Sequence, residues 1–239
     1  MNVKAIFFDM DDTLYSRLIP FSQAMKLYFG EDIGERINLS EAFKAYSRRG
    51  YEVFEPAHTG KITMQEMYIF RFQKAMEDMG ITIESEEDCL KFQDYYQERL
   101  DNIAMSQALK DMLSFCVGKG LPIGIITDGA SAHQRDKIRQ LGIDKWIPEK
   151  FYLISGDHDS PKPNRLMFDL ACERAGCRAE DMIYVGDSYS RDIIGSSVLG
   201  WNTIYYDRSG EDFSQESIQP GWVVRSDEEL EATVREILR

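Results

Sequence analysis

Five short runs of apolar residues recur along the chain and limit the folds that it can adopt. They cover residues 5–8, 122–127, 151–154, 182–185 and 203–206. Apolar runs of this length are typical of strands that are covered on both faces of a parallel sheet. Helical segments at 132–141 and 164–175 separate later runs, and each ends at a glycine, Gly142 or Gly176. The alternation of strand and helix predicts an α/β fold with a doubly wound parallel sheet.

Capping patterns mark where two of the helices are expected to begin. Ser131 and Gln134 have the spacing of a capping box, in which each side chain bonds the other residue's backbone amide. Thr63 and Glu66 repeat this spacing. The two pairs therefore predict helix starts directly after Ser131 and Thr63.

One connection between the predicted strands is much longer than a parallel sheet requires. A crossover needs about a dozen residues, whereas more than a hundred separate Phe8 from Ile123. Amphipathic helical patterns fill this interval, including a helix predicted at 86–102. We therefore expect an α-helical domain at residues 16–103, inserted into an α/β core made of residues 1–15 and 104–239.

Composition narrows the range of partners. The chain has 41 acidic and 28 basic residues and a formal net charge of −13, which argues against a nucleic-acid polymer or an anionic membrane as partner. No segment approaches the ~20 apolar residues of a membrane-spanning helix, and the N-terminal residues lack the order of a secretory signal. We expect a cytoplasmic protein. A small phosphorylated metabolite is still compatible with the net negative charge, because the local charge at a binding site can differ in sign from the net charge of the chain.

Polar residues follow each predicted strand that could reach a common site. In open α/β sheets, ligands bind beyond the carboxyl ends of the strands, where the strand order reverses. The residues in these places are Asp9, Met10, Asp11, Asp12 and Thr13 after the first strand, Thr127, Asp128 and Gly129 after the second, Lys162 after the third, and Asp187 and Asp192 after the fourth. Each motif alone suits an ordinary turn or helix cap. Four of them, each at a strand end, predict one site for a phosphate group and a metal ion.

The same four segments resemble, in order, the four motifs of the haloacid dehalogenase-like hydrolase superfamily. FFDMDDTL resembles the first motif, IITDGA the second, SPKPNRLMF the third and YVGDSYSRDIIGSSVLGW the fourth. The resemblance implies a Rossmann-like core in which strand one lies beside strand four. A helical insert directly after the first motif is similar to the C1-type cap of subfamily I, which is expected to close over the site and to select the substrate.

The resemblance also implies roles for the acidic residues. Asp9 is the implied nucleophile, which forms an aspartyl-phosphate, and Asp11 is the implied general acid and then general base. Mg²⁺ is the implied cofactor, because hard carboxylate oxygens suit this ion. Asp9 and Asp187 are its expected ligands. Asp11 and Asp192 complete the predicted metal site, and Asp192 also suits a role in orienting water or Lys162.

The second and third motifs are expected to hold the phosphoryl group. Lys162 supplies a positive charge for phosphate oxygens and for Asp9. The other predicted contacts are the Thr127 hydroxyl and the chain at Met10, Asp11, Asp128 and Gly129. The family's second motif often reads Thr-Asn-Gly, whereas Asp128 stands in place of the asparagine here, which adds an acid beside the phosphate site.

Phosphoryl transfer is the reaction that the sequence favours. By the resemblance, dehalogenases of this superfamily lack an acid two residues after the nucleophile, whereas Asp11 occupies that position here. A phosphonatase would need a cap lysine as a Schiff base, and nothing singles out Lys61 for that role. A phosphomutase shares the core and differs in how well it excludes water, so it stays an alternative to a phosphatase.

A nucleoside 5′-monophosphate is the expected substrate. The segments GKITMQEMYIFRF and IGIITDGASAHQRDKIRQLGI resemble the pyrimidine 5′-nucleotidase branch of the superfamily. Arg48, Arg49 and Arg71 are candidate substrate contacts in the predicted cap, although such arginines ordinarily lie on solvated helix faces. Alternatives are a sugar or polyol phosphatase, a broad-range phosphatase, and a non-catalytic protein that binds phosphorylated metabolites. The expected assembly is a monomer or a homodimer.

Overall fold

Six parallel strands form a sheet in the computed structural model, which describes residues 2–208, 210 and 212–239. The strands are β1 (Ala5–Phe8), β2 (Ile123–Thr127), β3 (Tyr152–Ile154), β4 (Met182–Gly186), β5 (Asn202–Tyr206) and β6 (Trp222–Val224). Their order across the sheet is β3-β2-β1-β4-β5-β6, and all neighbouring strands are parallel. The predicted fold class, α/β with a doubly wound parallel sheet, is confirmed.

The limits of the strands follow the apolar runs closely. Each of the five predicted strands agrees with an observed strand to within one residue at either end. β6 was not predicted, because it has only three residues and two of them are only partly buried. Such a short element at the sheet edge gives no apolar run of its own.

A close contact between neighbouring strands explains the glycine in β2. Phe7 on β1 and Gly124 on β2 are register partners, and a Cβ atom at position 124 would lie 2.1 Å from the Phe7 ring. The ring packs edge-on against Phe151 and Trp201, with 6.0 Å between ring centroids in both pairs. Glycine at position 124 therefore makes room for the aromatic ring that packs beside it.

The chain divides into two compact units. The helical unit is Arg17–Asn102, and the α/β unit comprises Met1–Ser16 and Ile103–Arg239. The helical unit contains α1 (Leu18–Phe29), α2 (Ile33–Arg36), α3 (Leu39–His58), α4 (Met64–Asp78) and α5 (Glu86–Leu100). The α/β unit contains α6 (Gln107–Gly118), α7 (Ser131–Leu141), α8 (Arg165–Ala175), α9 (Gly195–Ser197) and α10 (Asp227–Ile237). None of the described helices combines the length and the apolar character that spanning a membrane requires.

Aromatic residues fill the core of the helical unit. Phe21, Phe72 and Phe92 are fully buried, and the rings of Phe72 and Phe92 stack with 3.9 Å between their centroids. The predicted capping box is present at the start of α4, where the Thr63 hydroxyl accepts from the Glu66 amide and the Glu66 carboxylate accepts from the Thr63 amide. The helical insert thus has a core and helix caps of its own.

Candidate active site at the carboxyl ends of the strands

β1 and β4 lie side by side where the strand order reverses. Phe8 on β1 pairs with Val185 on β4, and the Asp9 amide donates a 2.8 Å hydrogen bond to the Val185 carbonyl. Asp9 and Asp187, which follow these two strands, therefore leave the sheet at the same edge. This pairing of strands one and four is the one that the family resemblance implied.

Three carboxylates gather at this edge of the sheet. Asp9, Asp187 and Asp192 each offer a carboxylate oxygen, and these oxygens lie within 4.8 Å of one another. Asp9 is 5% exposed and Asp192 is 1% exposed, whereas Asp187 is partly exposed. Like charges so close together, and largely out of water, repel one another unless positive charge is brought to them.

Lys162 brings one positive charge to the cluster. Its Nζ atom donates hydrogen bonds to Asp9 Oδ1 at 2.5 Å and to Asp192 Oδ1 at 2.7 Å. A third hydrogen bond, of 3.1 Å, goes to the Tyr184 hydroxyl, which itself donates to the Ile126 carbonyl at 2.9 Å. The lysine side chain is 3% exposed. Three acceptors for three ammonium protons fix the position of the charge.

Burial and the nearest opposite charge have opposing effects on the pKa values of Asp9 and Lys162. Burial raises the pKa of Asp9 to about 7, from an ordinary value of 3.8, against the opposing effect of Lys162. Asp192 and Asp11 raise the pKa of Asp9 further. Burial by itself would lower the pKa of Lys162, but Asp192 and Asp9 outweigh burial and hold that pKa well above its ordinary value. Lys162 therefore stays positively charged. Its charge does not fully offset the cost of burying the Asp9 carboxylate.

The turn after β4 fixes Asp192 against the backbone. The Ser188 amide donates a 3.0 Å hydrogen bond to Asp192 Oδ2, while Oδ1 accepts from Lys162. A Cβ atom at Gly186 would lie 2.4 Å from Asp192 Oδ2, so glycine at the end of β4 allows this approach. Both carboxylate oxygens of Asp192 are thus engaged within the protein, where they orient Lys162.

The residues at this edge fit a hard divalent cation. Three carboxylates and one ammonium leave two negative charges to be balanced. Mg²⁺ prefers one or two carboxylate ligands together with water and phosphate oxygens. Asp9, Asp187 and Asp192 are the described residues whose carboxylates could hold such an ion.

Asp11 has a different set of partners. Its Oδ1 atom accepts hydrogen bonds from the Tyr15 hydroxyl and from Lys137 Nζ, the latter at 2.6 Å. Its Oδ2 atom accepts a 3.1 Å hydrogen bond from Gln134 Nε2. Among the described residues, the set of carboxylates whose oxygens lie within 4.8 Å of one another does not include Asp11. The donors on Asp11 hold its side chain toward α7, and its place in the metal site stays a prediction.

Gln134 does not cap α7 as the sequence predicted. The N-cap residue of α7 is Ala130, and no side chain makes a capping hydrogen bond there. The Gln134 side chain instead donates to Thr127 Oγ1 at 2.6 Å and to the Asp128 carbonyl at 2.9 Å, in addition to Asp11. A residue assigned to local helix geometry therefore belongs to the site.

Neither Gln134 nor Lys137 was predicted as a site residue, although α7 carries a signal for both. The buried residues of α7 are Gln134, Lys137, Ile138 and Leu141. This is the spacing of one helix face that packs on a core. A glutamine and a lysine at two of four core-facing positions indicate that polar groups lie beneath this face.

The turn after β2 positions the loop that carries Lys162. Asp128 Oδ1 accepts a 2.9 Å hydrogen bond from the Lys162 amide, and Asp128 Oδ2 lies 3.7 Å from the Arg191 guanidinium. The Gly129 amide donates a 3.0 Å hydrogen bond to Ser155 Oγ. Asp128 and Gly129, both predicted to bind substrate, thus make contacts that hold neighbouring loops together. The acid that stands where the family often has asparagine fixes the backbone of Lys162.

Backbone contacts shape the acidic turn after β1. Met10 has a fully buried side chain, and its carbonyl accepts a 3.0 Å hydrogen bond from the Leu14 amide. Asp12 adopts a left-handed conformation with φ of 61°, and its carbonyl accepts a 2.6 Å hydrogen bond from Arg208 Nε. Thr13 Oγ1 lies 3.4 Å from Asp9 Oδ2. The turn thus carries Asp9 while its other residues anchor the loop.

The three candidate arginines of the predicted cap lie in the helical unit. Arg48 and Arg49 both bond to the Asp78 carboxylate. Arg71 lies over the rings of Tyr46 and Tyr68, 4.5 and 4.9 Å from their centroids, and donates to a glutamine side chain at 2.6 Å. Each arginine therefore has partners within its own unit.

Comparison with known proteins adds relatives that span the chain. A ribulose-1,5-bisphosphate 5-phosphatase from Halopiger xanaduensis is 28% identical over 217 residues, which cover 89% of this chain and 88% of the relative. The pyrimidine 5′-nucleotidase YjjG of Escherichia coli is 26% identical, and the match covers 95% of this chain and 95% of that protein. The magnesium-bound structure of YfnB from Bacillus subtilis superposes with a TM-score of 0.68, at 22% identity and over 98% of this chain and 99% of that one.

The family assignment rests on the extent of the match as well as on the site. A family model for haloacid dehalogenase-like hydrolases matches residues 3–200. This segment contains the first three motifs, the fourth motif up to Gly200, and every residue of the carboxylate and lysine cluster. The chain belongs to the haloacid dehalogenase-like hydrolase family and is an enzyme of that family.

Proposed function

We propose that this enzyme is a magnesium-dependent phosphatase that hydrolyses small phosphomonoesters. The observation that carries the proposal is the cluster around Asp9, in which a buried carboxylate is bound by Lys162 and lies beside Asp187 and Asp192. A carboxylate in such a place is a suitable nucleophile for phosphorus, and its neighbours are suited to hold the phosphoryl charge.

The proposed reaction has two steps. In the first, an Asp9 oxygen forms a bond to phosphorus while the bond from phosphorus to the leaving oxygen breaks, and Asp11 gives its proton to that oxygen. In the second, water attacks the phosphorus of the aspartyl-phosphate, the bond to Asp9 breaks, and Asp11 takes a proton from the water. Hydrolysis thus proceeds through two easier displacements, and both proton transfers use one carboxyl group.

Other residues stabilise the charge on the phosphoryl group. The ammonium of Lys162, fixed by its three acceptors, balances negative charge on the phosphoryl oxygens. The Thr127 hydroxyl, whose oxygen accepts from Gln134, retains its proton for donation to a phosphoryl oxygen. When bound at Asp9 and Asp187, Mg²⁺ supplies positive charge at the oxygens of the transferring group.

The first test is release of phosphate from p-nitrophenyl phosphate with Mg²⁺ and with a chelator. We expect activity that needs the metal ion, and a loss of at least about 10³-fold in Asp9→Asn, because the amide is a poor nucleophile. Asp169→Asn is the matched control, since Asp169 is an exposed acid on α8. Equal rates in the parent and Asp9→Asn would remove Asp9 as the nucleophile. An inactive parent across a panel of phosphate esters would favour the non-catalytic alternative.

For the substrate, we propose a nucleoside 5′-monophosphate. The full-length similarity to a pyrimidine 5′-nucleotidase supports this class. Similarity at 28% identity to a protein named ribulose-1,5-bisphosphate 5-phosphatase supports a sugar phosphate as the second candidate. A panel that compares kcat/KM for nucleoside monophosphates with that for sugar phosphates decides between them. Faster turnover of the sugar phosphates would contradict the nucleotide proposal.

A further inference from the structure

A second lysine, Lys137, is paired with Asp11, the carboxyl group that the proposed reaction uses as general acid and general base. Lys137, on α7, donates a 2.6 Å hydrogen bond to Asp11 Oδ1, and the two side chains are only 10% and 19% exposed. Burial of an ion pair carries a desolvation cost that apolar residues of similar size avoid. The other buried positions of the same face include Ile138 and Leu141, so an apolar residue would suit packing at position 137.

Gln134 links the same carboxylate to the second motif. Its Nε2 atom lies 3.1 Å from Asp11 Oδ2 and 2.6 Å from Thr127 Oγ1. The same atom lies 2.9 Å from the Asp128 carbonyl. One buried amide therefore connects the proposed proton donor to a proposed phosphate contact.

The two oxygens of Asp11 differ in their surroundings. Oδ1 accepts from the Tyr15 hydroxyl and from the ammonium of Lys137. Two donors on one oxygen, one of them charged, oppose the placement of a further proton there. Oδ2 accepts from the neutral amide of Gln134. A transferable proton is therefore better accommodated on Oδ2.

We propose that Lys137 and Gln134 are positioning residues for proton transfer, which hold Asp11 so that Oδ2 exchanges the proton with the leaving oxygen. This inference rests on the proposed phosphatase function. When the bond from phosphorus to the leaving oxygen breaks, the proton on Oδ2 moves to that oxygen, and Lys137 and Tyr15 stay bound to Oδ1 of the resulting carboxylate. Gln134, which bonds to both Asp11 Oδ2 and Thr127 Oγ1, holds Oδ2 near the Thr127 hydroxyl.

The test compares two esters of similar shape whose leaving groups differ in acidity. Phenolate needs protonation as it departs much more than p-nitrophenolate does, so phenyl phosphate depends more on the general acid. The measured quantity is kcat/KM, which reports the steps up to departure of the leaving group. In Lys137→Met we expect kcat/KM for phenyl phosphate to fall about tenfold more than kcat/KM for p-nitrophenyl phosphate.

Four further variants show whether the effect acts through Asp11. Asp11→Asn is expected to give the same selective loss of kcat/KM, and a larger one. Lys137→Arg is expected to recover part of the loss, because a guanidinium also donates to a carboxylate. Lys145→Met, which removes an exposed lysine just beyond α7, is expected to leave both values unchanged. Lys137→Gln serves if Lys137→Met does not fold, and the same selective loss is expected.

The outcomes separate this inference from the function on which it rests. Equal losses for the two esters in the Lys137 variants, or no loss, overturn the positioning role and leave the phosphatase proposal intact. A parent enzyme that hydrolyses neither ester nor any phosphomonoester overturns both. A loss in kcat/KM that is larger for phenyl phosphate than for p-nitrophenyl phosphate, and that Asp11→Asn shares, supports the assignment.

Discussion

The two units of the chain treat charge in contrasting ways. In the α/β unit, Lys162 and Asp192 form an ion pair whose side chains are 3% and 1% exposed. In the helical unit, Arg48 and Asp78 form an ion pair whose side chains are 62% and 21% exposed, and the buried positions are filled largely by aromatic and aliphatic side chains. The first unit keeps charges inside, whereas the second keeps these charges where water reaches them.

Function explains this contrast better than stability does. An exposed ion pair contributes little to folding because water and salt screen it. A buried charged cluster is costly to desolvate, and the attraction among its members offsets that cost only when every member is paired. Charges that persist in the interior at a strand edge are therefore better explained by the reaction than by stability. The following variants test that explanation, beginning with the largest expected effect.

Replacement of Lys162 should have the largest effect of any single change outside Asp9. In Lys162→Met, Asp9 and Asp192 lose their shared cation, so we expect kcat to fall at least about 10³-fold. We also expect the free energy of unfolding to fall by about 3–5 kcal/mol in the presence of a chelator, because buried carboxylates are left unpaired. Steady-state kinetics and urea unfolding measure the two effects. A variant within tenfold of the parent's kcat would contradict the contrast between the units.

Much of this cluster was predictable because the determinants are local. Asp9, Thr127, Lys162 and Asp187 each follow an apolar run, and parallel strands bring their carboxyl ends to one edge. Strand limits followed from the same runs. The family resemblance then supplied the adjacency of strands one and four, which no local pattern contains.

What the sequence did not reveal depends on contacts between distant segments. The spacing of Ser131 and Gln134 favoured a capping box, yet Gln134 bonds to Asp11, which is 123 positions away. A tertiary hydrogen bond to a partly buried carboxylate outweighed a local cap of about 1 kcal/mol. The role of Asp128 was also hidden, because its partner is the backbone amide of Lys162 rather than a neighbour in sequence.

Removal of an aromatic ring should destabilise the helical unit without any change in charge. Phe92 is fully buried and stacks on Phe72, so Phe92→Ala is expected to lower the free energy of unfolding by about 3–5 kcal/mol through lost contacts and a cavity. Phe54→Ala is the matched control, because Phe54 is 50% exposed and should change stability by about 0.5 kcal/mol or less. Similar unfolding curves for the two variants would contradict an apolar origin of stability in this unit.

Removal of the Asp9 charge should stabilise the metal-free protein above neutral pH. Burial raises the pKa of Asp9 to about 7 in the folded chain, whereas the unfolded value is near 3.8. Between these values the folded state binds a proton that the unfolded state releases, so stability falls as pH rises from about 4 to about 7. In a chelator at pH 8, Asp9→Asn should therefore be more stable than the parent, by on the order of 4 kcal/mol.

The same pair of proteins contains the control for that prediction. Below about pH 3 the carboxyl group is protonated in both states, so the difference in stability between Asp9→Asn and the parent should disappear. Mg²⁺ should stabilise the parent at pH 8 more than the variant, because an ion that binds the folded state adds to stability. Thermal unfolding across this pH range measures both trends. A parent that is more stable than the variant at pH 8 in chelator would show that Lys162 fully compensates the buried charge.

Removal of an exposed charge in the helical unit should have the smallest effect. In Arg48→Met, Asp78 keeps its hydrogen bonds from Arg49 at 3.0 and 2.7 Å, and the lost pair was screened by water. We expect a change in the free energy of unfolding of about 0.5 kcal/mol or less and an unchanged KM for the best phosphate ester. Urea unfolding and steady-state kinetics on the same preparation measure both quantities. A raised KM at unchanged stability would identify Arg48 as a substrate contact, and the exposed charges of the helical unit would then belong to the chemistry as well.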